Sequence, residues 1–133
     1  MMESNVVRQT ILLLAGDWLA LGLFVFLGQV DHDLLGLSRL LSQTAMLALP
    51  WTVIALLLNA YRLSQRTTLR AFLGRSLVAW LVAAPLALVL RALIQGQSTI
   101  PVAFMLVTLG LGGLILLAWR AVYCVLRSRQ AAA

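Results

Sequence analysis

Charge is what this sequence has least of. Lysine is absent, acids number four, His32 and Cys124 are each the single residue of their type, and only 11% of the 133 residues are charged. An ordinary soluble domain carries about 25% charged residues, and a chain this short has too much surface to clothe in water with so few. One cysteine excludes an intrachain disulfide and a cysteine-based metal cluster, so Cys124 reads as a packing residue. The Asp31-His32-Asp33 triplet resembles a metal site on paper, but three consecutive side chains do not easily converge on one ion, and a solvated turn is the simpler reading. There is no nucleophile-base pair, no carboxylate pair and no Gly-rich phosphate loop. The sequence therefore predicts a chain that is not an enzyme and holds no cofactor or metal.

What is present is apolar: 62% of the residues are hydrophobic. Four stretches meet the requirement of about 20 mostly apolar residues for a membrane helix. They run over 10–30, 44–61, 73–94 and 100–126, and together they predict a single all-α, four-helix transmembrane domain over 1–133. Arg8 ahead of an Ile/Leu run has the look of a signal peptide. The run is too long for one, Asp17 interrupts it and no small-x-small site follows, so the helix is expected to be retained.

All ten basic residues are arginines, and most stand at the ends of the apolar stretches, an arrangement unlike a nucleic-acid-binding patch. With the N-terminus inside, the inner face receives Arg8, Arg62, Arg66, Arg70, Arg75, Arg120, Arg127 and Arg129, and the outer face only Arg39 and Arg91. That bias predicts an N-in, C-in topology, with Asp31 and Asp33 outside. The inner loop around Ser64 to Arg70 suits anionic headgroups. The outer stretch from Asp31 to Gln43 places leucines near helical spacing and is read as a short interfacial segment. Trp51, Tyr61, Trp119 and Tyr123 fall mostly near span ends and suit interfacial anchoring.

Small residues favour close helix contact in lipid. Ala79, Ala83 and Ala87 line one face of the third span, Gly110, Gly112 and Gly113 thin the fourth, and Gly16, Gly22 and Gly28 punctuate the first. These are candidate contacts within the bundle or between copies. Pro50 and Pro85 lie inside spans, where each frees a carbonyl. A shift of about 58 positions lays Gly16-Asp17 on Gly74-Arg75 and Ala60-Tyr61-Arg62 on Ala118-Trp119-Arg120, the register of two hairpins related by a pseudo-twofold axis along the membrane normal.

Asp17 is the most informative residue. Counting from Arg8 at about 1.5 Å per residue puts it roughly 13 Å into the bilayer. An acid near a helix centre costs about 2.5–3.5 kcal/mol on insertion scales. The twelve Ile, Leu, Val and Phe residues of the same span offset that, but the carboxylate must face protein or water. Arg75 is the first expected partner, since the repeat puts it at equivalent depth; Arg120 is the second, and Asn59 offers a hydrogen bond. A proton or ion relay and a structural ion pair both fit, and the pair is favoured because no second intramembrane carboxylate or histidine accompanies it. Arg91 reaches the outer headgroups or pairs with Asp31 or Asp33.

Several stretches are together familiar: Gly16-Asp17, Ala84-Pro85 through Leu90-Arg91-Ala92-Leu93, Ile100-Pro101 with Phe104, Val107 and Thr108, and Leu117-Ala118-Trp119-Arg120. From Gly16 to Arg120 the chain resembles domain-of-unknown-function family 3054, small four-helix membrane proteins of bacteria and archaea. The resemblance implies that fold, a prokaryotic cytoplasmic membrane, and emphasis on Asp17, Arg91 and Arg120; it implies no reaction. The leading expectation is a small accessory or structural subunit of a larger membrane complex, in contact with the bilayer and with other membrane subunits or further copies of itself. The alternative is a small oligomeric transporter or channel that uses Asp17.

Overall fold

The computed structural model describes residues 2–31, 36–61, 68–96 and 98–132. The described residues are helical, without strands. Helix α1 covers Met2–Asp31, α2 Leu37–Leu57 and α3 Leu69–Ile94. A fourth rod stacks α4 (Val102–Val107), a π-helical turn (Thr108–Gly112) and α5 (Gly113–Ala132) end to end. Four stretches, 5–30, 37–57, 69–94 and 102–129, are long and apolar enough to cross a membrane. The protein thus has the build of a multi-pass membrane protein.

Helix α2 departs from the expected start at Thr44. It begins at Leu37, so the stretch read as a separate interfacial segment continues into the span itself. The leucines there have helical spacing because they belong to the same helix. Both Pro50 and Pro85 sit within unbroken helices.

Local chemistry fixes the helix ends. The Thr68 side chain accepts from the Ala71 amide at 3.1 Å, an N-cap that starts α3. At the end of α2, Asn59 adopts φ 59°. The Ala60 amide then reaches back to the Ala55 carbonyl at 2.8 Å and the Asn59 amide to Leu56 at 3.3 Å. This is a Schellman closure with asparagine in the left-handed position usually held by glycine. Gly96, at φ 69°, plays the same part after α3.

The rods pack in a ring: α1 lies against α2 and α5, and α3 lies against α2 and α5. Each presents one stripe inward: Leu13, Asp17 and Leu21 from α1, Ala48, Trp51 and Ala55 from α2, Phe72, Ser76, Ala79 and Ala83 from α3, and Leu116, Arg120 and Cys124 from α5. The outward face is as apolar as the core, with Leu19, Leu57, Leu93 and Leu114 each more than 60% exposed. Water would not tolerate an apolar surface of that extent on a monomer; lipid does.

Candidate functional site

All four spans converge on one ion pair. Asp17 and Arg120 are both fully buried. Arg120 Nε donates to Asp17 Oδ1 at 3.1 Å, and Nη2 donates to Oδ2 at 2.6 Å, a two-pronged fork. Its Nη1 donates to the Ala60 carbonyl at 2.7 Å and to Ser76 Oγ at 3.0 Å. The Trp51 indole N–H donates to Asp17 Oδ2 at 3.0 Å, and the Ser76 hydroxyl donates to the Phe72 carbonyl at 2.9 Å. Of the five N–H donors a guanidinium carries, four therefore have named acceptors.

The Ala60 carbonyl is available because the Schellman turn ends α2 and takes the chain out of the helical ladder. Aromatic rings complete the enclosure. The guanidinium carbon lies 4.9 Å from the Trp51 ring centroid, 4.8 Å from Tyr61 and 5.3 Å from Phe72. Three cation–π contacts spread the charge over ring faces in a setting without bulk water. Trp51 also meets Trp80 edge to face at 6.1 Å. Trp80 in turn donates to the Leu109 carbonyl inside the π turn at 3.0 Å.

This geometry corrects several expectations. The partner of Asp17 is Arg120, and Arg75 instead donates to the Asn59 carbonyl at 3.3 Å. Arg75 and Ser76 are neighbours about 100° apart around α3, and it is Ser76 that faces the core. Asn59 contributes its backbone, as the left-handed turn residue, with its side chain exposed. Trp51 and Tyr61 are not interfacial anchors; they wall the buried pair. Arg91 stacks on Phe104 at 4.6 Å. Its expected partner Asp33, like His32, lies outside the described residues, as does the Asp31 side chain.

Among the small residues, Ala79, Ala83 and Ala87 are buried against the core. Gly113 is required by packing: a Cβ there would come 2.7 Å from Trp80 Nε1. Gly16 meets the Trp119 ring in the same way. Gly110, expected alongside them, makes no such contact, since it faces open space. It sits in the π turn with Gly112, but on its outward side, while Gly112 packs on Trp80.

Sequence reasoning missed Trp51, Tyr61, Phe72 and Ser76 as partners of the charge. One signal was readable: Phe72, Ser76, Ala79 and Ala83 share a helical stripe, so the hydroxyl was bound to face inward. No signal marked the Ala60 carbonyl.

The other end of the ring is looser. No residue of α4 is buried, and α4 packs chiefly on the π turn that continues it. A crevice of about 1300 Å³ lies between this segment and α1, α2 and α3. Among the described residues no group of three or more His, Cys, Asp or Glu side chains stands where a metal ion could be held.

A ring of four membrane-length helices locked by a buried acid–arginine pair is the class that fold and site define. The chain belongs to a family described as protein of unknown function, DUF3054, whose model matches residues 14–123 and so takes in Asp17, Trp51, Ser76 and Arg120. No curated protein and no solved structure matches it.

Proposed function

We propose that this chain is a non-enzymatic integral membrane protein of the prokaryotic cytoplasmic membrane, with both termini inside, serving as a small accessory or structural subunit of a larger membrane complex. The observation that carries the reading is the saturation of the Asp17–Arg120 pair. Both carboxylate oxygens and four guanidinium donors are engaged, and the pair is buried completely. A relay must take up and release a proton or ion, whereas this network holds every partner in one arrangement. Its contacts reach α1, α2, α3 and α5, so it works as a clamp on the register of the ring. The arginine distribution supports the orientation, and it puts the clamp in the inner half of the membrane. The ring packing is compatible with two duplicated hairpins facing each other in the register of the internal repeat.

The protein's outward faces are apolar and ridged, a surface on which lipid or the helices of a partner pack equally well. Isolation from native membranes in mild detergent tests the subunit reading. Foreign polypeptides in fixed stoichiometry support it, and a homo-oligomer alone counts against it. A transporter is the second reading, and the crevice at the looser end is the feature in its favour. Loss of solute flux in Asp17→Asn with assembly intact would select that reading.

A further inference from the structure

The crevice lies against the π turn, which lends it Thr108 and Leu111. A π turn adds a residue to the helical winding and re-aims the helical segments on either side of it. Trp80 pins the turn on one side: its indole holds the Leu109 carbonyl, and its ring fills the space above Gly112 and Gly113. Below the pin, α5 is drawn onto α1 and α3; above it, α4 stands off. The opened space, about 1300 Å³, is larger than the roughly 300–1,000 Å³ of an ordinary small-molecule pocket. Its inner wall is apolar, with Phe24, Leu47 and Leu111.

Six polar residues interrupt that wall: Gln43, Ser98 and Thr99, and the trio of Arg91, Thr108 and Gln29. Arg91 covers one face of its guanidinium on Phe104, which leaves the in-plane N–H donors for an anion. Thr108 is 1% exposed and Gln29 4% exposed. The Thr108 hydroxyl and the Gln29 Oε1 both lack a hydrogen-bond partner, although Gln29 Nε2 is spent on Gln43 at 3.2 Å. All three residues line the crevice. Buried polar atoms are nearly always paired; of the five orphans among the described residues, two stand beside an arginine in one apolar crevice, and that gathering points to a ligand. It must bring an anion, an acceptor and a donor, together with a long apolar part.

Position narrows the class. Arg91 is level with Phe104, and Thr108 lies four residues further along the rod, about 6 Å deeper. A phosphate and an ester carbonyl a few bonds further down the molecule have that order and offset. We propose that the crevice seats one anionic glycerophospholipid with a hydroxyl-bearing headgroup. The phosphate accepts from Arg91, an ester carbonyl accepts from the Thr108 hydroxyl, the headgroup hydroxyl donates to Gln29 Oε1, and an acyl chain covers the apolar wall. A fatty acid satisfies Arg91 alone, and a quinone brings no charge to it. A zwitterionic headgroup sets an ammonium beside the arginine. The site is independent of the subunit reading, because it concerns the opposite end of the ring from the clamp.

The test uses the full chain, stripped of lipid in mild detergent and titrated with phosphatidylglycerol, phosphatidylcholine, oleate or a short-chain quinone, with bound lipid counted by native mass spectrometry. One phosphatidylglycerol per chain is expected, held about tenfold or more tightly than phosphatidylcholine, as befits a charge-assisted bond. Arg91→Gln should lower retention about tenfold, and Thr108→Val several-fold. Gly28→Leu lines the same crevice with nothing within 4 Å of a new Cβ, so it should block binding while helicity and melting stay unchanged. Arg39→Gln, outside the crevice, should bind as the parent does. Equal retention of the two phospholipids, preference for oleate or quinone, full retention by Gly28→Leu, or an equal loss in Arg39→Gln would each overturn the proposal.

Discussion

Asp17→Asn removes one charge, changes almost no volume, and should still unfold this protein more readily than any loss of a core methyl group. Three donors converge on the carboxylate: Nε and Nη2 of Arg120 and the Trp51 indole N–H. An amide keeps one acceptor oxygen and turns an N–H₂ toward the remaining donors. Each stranded buried donor costs about 1–3 kcal/mol, and breaking one side of a buried ion pair costs about 3–5 kcal/mol in all. A loss of about 3–5 kcal/mol is therefore expected for Asp17→Asn, and a similar loss for Asp17→Leu and for Arg120→Met, each made alone. The combination Asp17→Leu with Arg120→Met removes both charges and leaves the Ala60 carbonyl and the Trp51 N–H unpaired. It should sit only about 2–3 kcal/mol below the parent. Sodium dodecyl sulfate titration of the protein in mild micelles, followed by circular dichroism and tryptophan emission, measures the cycle. A coupling of about 3 kcal/mol or more is expected. Additivity within about 0.5 kcal/mol would refute the clamp. The exchange Asp17→Arg with Arg120→Asp sharpens the point: a mere ion pair is restored by it, whereas this network is not, since a carboxylate at position 120 cannot donate to Ala60.

Glycine replacements should separate packed from open positions. Gly113→Ala and Gly16→Ala, which drive a methyl group into Trp80 and Trp119, should each cost about 1–3 kcal/mol in the same titration, while Gly110→Ala leaves it unmoved. At the end of α2, Asn59→Gly should be tolerated and Asn59→Val should cost about 1–2 kcal/mol, because φ 59° crowds a branched Cβ. Trp80→Phe keeps an aromatic ring, though a smaller one, and gives up the bond to the Leu109 carbonyl; amide exchange across Thr108–Gly113 should quicken about fivefold or more, for a bond of about 1 kcal/mol. Unchanged exchange would mean that the π turn is held by something other than this indole.

How far the sequence could be read depended on which coordinate was asked of it. Depth along a span follows from counting residues, so the four spans and the need of Asp17 for a partner were open to inspection. Azimuth around a helix does not follow from counting alone. Arg75 and Arg120 both lie toward the same end of the chain's spans, and only packing decides that Arg120 turns inward while Arg75 reaches the Asn59 carbonyl. The alanine stripe of α3 was legible because its period is helical. The π turn was hidden, for Gly110, Gly112 and Gly113 suggest a thin helix without saying how tightly it winds. Trp51 misled because a tryptophan in a membrane span is often an anchor, whereas here it shares the buried face of α2 with Ala48 and Ala55, and azimuth rather than depth sets its role.

The two halves of the clamp stand 103 positions apart in the chain. A ribosome that has just released Asp17 into the membrane must add three further helices before the arginine arrives. Throughout that interval the acid has no partner of its own, and the first span is held only by its apolar residues and whatever the insertion machinery provides. Closure of the ring thus waits for the fourth rod rather than accompanying each helix as it enters lipid. A chain stalled or cut before Arg120 leaves Asp17 in the membrane without the guanidinium that engages both its oxygens.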